Sequence, residues 1–417
     1  MSISRRMILS TGAAAGFAGV ATKVAAATFG NPDEPPQGAV NAQGTPRGLV
    51  DPGPRNQAIS SQFPGAFNPP PTDVGDLPQF WASFNNAPRR TQDGGWARQV
   101  TRADFDISES ISGVNMRLAA GAIREMHWHL AAEWAIVTYG TCRVTMLNPD
   151  GQAYVADVKE GDLWYFPAGY PHSLQAIGTD GAEFILCFDD GNATEFNTLL
   201  ITDWLAHTPP DVLSLNFAVP VDVLKNIPLH DLYIFPGSLP GPLEAVRSEI
   251  RSAAGDPPNP FTFSLADGPR QKQSKGGFAQ IADSTNFKAA TTVAAALVTV
   301  HPGGMREMHW HPNADEWQYY IKGSAQMTVF NAGPKAVTTN FRPGDIGYVK
   351  RSNGHYVKNT GDTDLVFLEV FNSNRFQDIS LSDWLAHTPV GMVAAHLKID
   401  PAELAKFPRG AVPVTPA

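Results

Sequence analysis

The chain has 417 residues, 43% hydrophobic and 17% charged, which is too long for one typical domain and apolar enough to fill two cores. Its formal charge of -9 is spread without basic runs, and this excludes the concentrated Lys/Arg footprint that a nucleic-acid partner requires. With 37 Gly, 35 Pro and few long helical periodicities, the composition points to an all-β class built of short strands and turns.

The N-terminus reads Ser4-Arg5-Arg6-Met7-Ile8-Leu9, then a small apolar stretch to Ala21, Lys23 and Ala25-Ala26-Ala27. Residues 1–27 resemble a twin-arginine export signal, and the stretch is too short and too rich in Ala and Gly to anchor in a bilayer. A periplasmic or secreted protein with no membrane span is the expectation. Residues 28–78, rich in Pro, Gly, Asn and Gln, read as an extended arm.

Strand-like runs follow at Trp134 to Val137 and Arg143 to Leu147, bounded by turn residues. Cys142 and Cys187 are the two cysteines, and their surroundings fit either a bridge or two core thiols. Helical pattern is confined mainly to the residues after Asp203-Trp204-Leu205. Asp256-Pro257-Pro258-Asn259-Pro260 reads as a linker, dividing the chain into domains at 79–255 and 256–417.

The second half then repeats the first. Arg124-Glu125-Met126-His127-Trp128-His129 recurs unchanged as Arg306-Glu307-Met308-His309-Trp310-His311, and Asp203-Trp204-Leu205-Ala206-His207-Thr208-Pro209 as Asp383-Trp384-Leu385-Ala386-His387-Thr388-Pro389. A duplicated unit this long is a whole domain, not a solenoid repeat.

On a strand, residues i and i+2 share a face, so His127 with His129, and His309 with His311, can each offer two imidazoles to one metal. Glu133 and Glu316 follow within a turn's reach, and His172 and His355 arrive from a later strand after Gly161-Asp162 and Gly344-Asp345. A lone His-x-His is weak evidence; two copies of the same four ligands are not. Three imidazoles and one carboxylate with open positions suit manganese(II), iron(II), zinc or nickel.

Gly121, His127, His129, Glu133 and Gly140, with Gly303, His309, His311, Glu316 and Gly323, resemble the first cupin motif. Gly161, Pro167, Gly169 and His172 match the second, as do Gly344, His355 and Asn359, although Ala176, Lys350 and Ser352 depart from it. The fold so implied is two tandem cupin barrels with short helical segments after each. The hexapeptides and the Asp-Trp-Leu heptads resemble the two-domain oxalate decarboxylases over essentially the whole mature chain. That resemblance implies manganese, two ions per chain, dioxygen as cocatalyst, oxalate as substrate, and a homo-oligomer, either a trimer or a hexamer built from trimers.

Oxalate is a dianion, so a cation beside each metal is expected to hold one carboxylate, and Arg124 and Arg306 are the candidates. Each stands three residues before the first His, an odd offset that an ideal strand would point away, so a bend must intervene. From Phe188 to Asp203 is 15 residues, against 12 from Phe371 to Asp383, so the first half carries a longer loop. That loop contains Glu195, the expected general acid/base, in Thr194-Glu195-Phe196-Asn197, where the family's lid reads Ser-Glu-Asn-Ser. The second half has no matching lid acid but offers Glu369, on an apolar strand face where the first half has Leu186. The readings in competition are an oxalate decarboxylase, an oxalate oxidase on the same scaffold, and a non-catalytic storage or sugar-binding two-domain cupin.

Overall fold

A computed structural model of the chain describes residue 54 and residues 56–67, 69–333 and 335–417. The export-signal expectation and the first part of the expected arm lie outside the described residues. The described part of the arm covers the second half of the molecule. Asn56 caps the short helix Gln57–Gln62 through a hydrogen bond from Ile59 N, Phe63 packs edge-on against Trp81, and the Asp73 carboxylate accepts from Thr338 N (2.8 Å) and Oγ1 (2.7 Å).

Each half is a β-barrel of antiparallel strands. In the first, neighbours run Gly95–Val100, Ser112–Leu118, Ala182–Phe188, Glu133–Leu147, His172–Ala176 and Ile123–Trp128. The runs read as Trp134 to Val137 and Arg143 to Leu147 are one continuous strand, Glu133–Leu147, which serves both sides of the barrel. It turns the corner at Gly140, whose φ is +75° and where a Cβ would meet the Gly181 carbonyl oxygen at 2.1 Å. In the second barrel the chain breaks at the matching Gly323, leaving Glu316–Lys322 and Ala325–Asn331 in separate sheets.

The halves exchange strands. Trp81–Ser83, from the start of the first half, pairs with Asp345–Val349 of the second barrel, and Thr262–Ser264, from the start of the second, pairs with Asp162–Phe166 of the first. Each exchanged strand covers an edge that would otherwise present unpaired backbone groups. One apolar cluster consequently runs through both barrels, with Phe84 against Trp317 at 6.3 Å. Gly113 leaves the room that the Trp317 ring occupies, since a Cβ there would lie 2.4 Å from the indole. Cys142 and Cys187 are two free, buried thiols in this core.

Short helices follow each barrel at Ile201–Ala206, Pro210–Phe217 and Val221–Leu224, and again at Leu381–Ala386, Val390–Leu397 and Pro401–Leu404. No described helix is long and apolar enough to cross a membrane.

Candidate functional site

The strand Ile123–Trp128 is the keel of the first site. It pairs on one side with His172–Ala176, in a register that sets His127 opposite His172, and on the other with Leu199–Leu200 and Ile234–Phe235. The register shifts between Arg124 and His127, and both side chains are buried, although they stand an odd number of residues apart. The strand Met305–Trp310 repeats this, with His309 opposite His355 and a shift between Arg306 and His309.

His127, His129, Glu133 and His172 bring one ligand atom each within 4.8 Å of one another, and so do His309, His311, Glu316 and His355. In the first group all four such atoms, the three Nε2 and Glu133 Oε2, are buried and without a hydrogen-bond partner. Convergent orphans of this kind are the signature of a site shaped for a cation. Two of the three remaining ring nitrogens are committed. Nδ1 of His127 lies 2.6 Å from Glu125 O and Nδ1 of His172 2.8 Å from Tyr170 O, which fixes each tautomer so that Nε2 carries its lone pair inward. Glu133 is aimed by Trp164, whose Nε1 donates to Oε1 at 2.7 Å; in the second site Gln318 does this for Glu316 at 2.8 Å. Phe166 stacks on His172 and Phe188 packs on His129. Burial, with Arg124 adding to it, holds His127 far below the ordinary imidazole value, so the ring is neutral and ready to ligate.

The arginines sit beside these clusters, each with its three nitrogens engaged. Arg124 gives Nε to Glu195 Oε1 at 2.5 Å, Nη2 to Thr198 Oγ1 at 3.0 Å and Nη1 to Tyr233 O at 3.4 Å. Glu195 lies at the start of the 3-10 turn Glu195–Asn197 and is 1% exposed, so the long loop is folded shut over the site. Burial raises its carboxyl above the ordinary value, against the opposing pull of Arg124.

Arg306 places its nitrogens alike but meets different groups. Its Nε lies 3.6 Å from Glu369 Oε1, its Nη2 bonds Asp378 Oδ2 at 2.5 Å and its Nη1 bonds Pro413 O at 3.2 Å. Burial and the neighbouring Glu316 carboxylate push Glu369 up to about 7, Arg306 countering. Burial alone would raise Asp378, but Arg306 and a hydrogen bond from Lys272 hold it down at about 2.

All twelve residues singled out in the sequence therefore fall on two centres, with Glu195 and Glu369 each facing an arginine Nε from unrelated elements, a loop and a strand. Thr198, Tyr233 and Asp378 were not foreseen. The signal for two of them was present: Thr198 and Asp378 each stand five residues before the Asp of the repeated heptad, so carrying the repeat backward aligns them. The expectation of no lid acid in the second half holds at the position of Glu195, but Asp378 places a carboxylate on Arg306 nonetheless.

Comparison with known proteins agrees with this architecture. The cupin family profile matches residues 82–223 and 263–405. The chain is 49% identical over 346 residues to oxalate decarboxylase OxdC of Bacillus subtilis, covering 83% of this chain and 89% of that protein. It is 37% identical to a probable oxalate decarboxylase of the fungus Arthroderma benhamiae, covering 85% and 87%. A solved structure of the Bacillus enzyme, from work assigning the EPR fine-structure parameters of its Mn(II) centres, superposes with a TM-score of 0.85 at 46% identity over 92% of this chain and 99% of that one.

Proposed function

Since this chain belongs to the cupin family and, within it, to the two-domain oxalate decarboxylases, we propose that it converts oxalate to formate and carbon dioxide at the first of its two metal-binding sites. The observation that carries this choice of site is the buried contact of Glu195 with Arg124, which sets a proton-carrying group and a dianion receptor side by side over one ligand cluster.

The reaction breaks the carbon–carbon bond, releases carbon dioxide, and requires one proton to form the C–H bond of formate. His127, His129, Glu133 and His172 would hold the metal, manganese(II) in this reading as in the Bacillus relative, and it would supply a Lewis-acidic anchor for one carboxylate. Dioxygen acts as cocatalyst and is not consumed overall. Arg124 takes the other carboxylate through paired hydrogen bonds. The closed loop excludes water, and Glu195, raised by burial toward its protonated form, delivers the proton to the carbon. In the second site the Nη2 that bonds the Thr198 hydroxyl in the first is instead held in an ion pair with Asp378, which favours a supporting role there.

The product assay tests the reading. Metal-loaded protein given oxalate is expected to yield near-stoichiometric formate; peroxide with little formate would overturn it in favour of the oxidase. The reading extends to a homo-oligomer, supported by two matched apolar faces on which Trp204 and Trp384 are 65% and 58% exposed, and tested by light scattering. It extends also to export, supported by Arg5-Arg6 and the apolar stretch that follows, and tested by whether a reporter fused to residues 1–27 leaves the cytoplasm.

A further inference from the structure

Tyr233 does more than its backbone role explains. Its carbonyl accepts from Arg124 Nη1 and from Glu125 N (2.9 Å), tying the strand Ile234–Phe235 to the keel of the first site. Pro413 performs the same task in the second half, accepting from Arg306 Nη1 and from Glu307 N, both at 3.2 Å. Carbonyl bracing therefore needs no particular side chain.

Yet the first half places a tyrosine there at a φ of +51°, in the left-handed region that such residues rarely adopt. The strain is held by Glu125, whose Oε2 accepts from both Leu232 N and Tyr233 N at 2.8 Å. Two guanidinium groups approach the ring, Arg124 at 4.5 Å and Arg90 at 3.8 Å from its centroid. The side chain is fully buried and its hydroxyl has no hydrogen-bond partner. Glu195 Oε2 is orphaned in the same way. Two groups that touch Arg124 thus each leave a polar atom unsatisfied, which a folded chain tolerates where a ligand completes the set.

We propose that the Tyr233 hydroxyl is a third anchor for the substrate at the first centre, donating a hydrogen bond to the carboxylate that Arg124 grips. This rests on the functional reading above. Burial, reinforced by Glu195, holds the phenol above its ordinary value, so it stays a donor beside an incoming dianion. The second centre, with Pro413 in its place, has no such donor.

The test removes one oxygen. In manganese-loaded protein Tyr233→Phe keeps the ring, the strained turn and the carbonyl, so the thermal midpoint stays within a few degrees of the parent. The expected result is a KM for oxalate about tenfold higher with kcat changed less than threefold, as for loss of one hydrogen bond to a charged group. Binding is read without turnover in the Glu195→Gln background, where adding Tyr233→Phe is expected to raise the calorimetric Kd for oxalate by the same factor. A KM and Kd both within twofold of the parents overturn the inference. Absence of any oxalate binding by Glu195→Gln itself would instead count against the functional reading.

Discussion

Thr198 and Asp378 occupy one place in two copies of the same site: each takes the hydrogen bond from Nη2 of the arginine that precedes its metal ligands. Arg124 therefore meets one carboxylate, Glu195, and a hydroxyl, whereas Arg306 meets Asp378, which also takes Lys272, with Glu369 3.6 Å away.

Asp378 is therefore a structural ion-pair partner, and its removal strands a buried guanidinium. Asp378→Ala is expected to destabilise the protein by about 3 kcal/mol, against about 1 kcal/mol for Thr198→Ala. Denaturant unfolding of the two variants beside the parent checks this, and equal effects would contradict the assignment.

The same pair sets a pH dependence. Because the folded Asp378 carboxyl titrates at about 2, below its ordinary value, its stabilisation is complete above about pH 4 and is lost as pH falls toward 2. The stability gap between parent and Asp378→Ala should narrow as pH falls from about 4 toward 2.

Glu195→Gln keeps shape and hydrogen bonding while removing the transferable proton. Formate production is expected to fall at least about 100-fold with metal content unchanged. Undiminished formate turnover would remove Glu195 from the mechanism.

The clusters should load independently. After loading with manganese(II) and desalting, His127→Ala is expected to lose the ion of the first centre together with formate production, whereas His309→Ala loses only the ion of the second. Elemental analysis alongside the formate assay separates the two outcomes.

Trp164 aims Glu133 from behind. Trp164→Phe removes the donor and leaves a gap where the larger buried indole stood, so some loss of stability is expected together with metal binding at the first centre weakened by about 10-fold or more, the second being spared. Competition with a chelator resolves the two ions, and parallel loss of both would point to a global defect.

The sequence alone pointed to the two barrels, to the two four-residue clusters that could hold a metal and to the two arginines beside them, because ligation calls for fixed residue types at short, repeated spacings that survive duplication. It also marked Glu195 through a difference in loop length and Glu369 through a carboxylate on an apolar face. Tertiary structure decided the rest. Trp81–Ser83 and Thr262–Ser264 pair across the boundary that composition drew between domains, since edge pairing depends on which strands end up adjacent, not on the order of the chain. Tyr233 reaches Arg124 from 109 residues away, and neither its strained backbone nor its unpartnered hydroxyl has a local signature. Asp378 lay in plain sight in the repeat, but that its charge is spent on Arg306 depends on burial and on a 2.5 Å contact that only the folded chain creates.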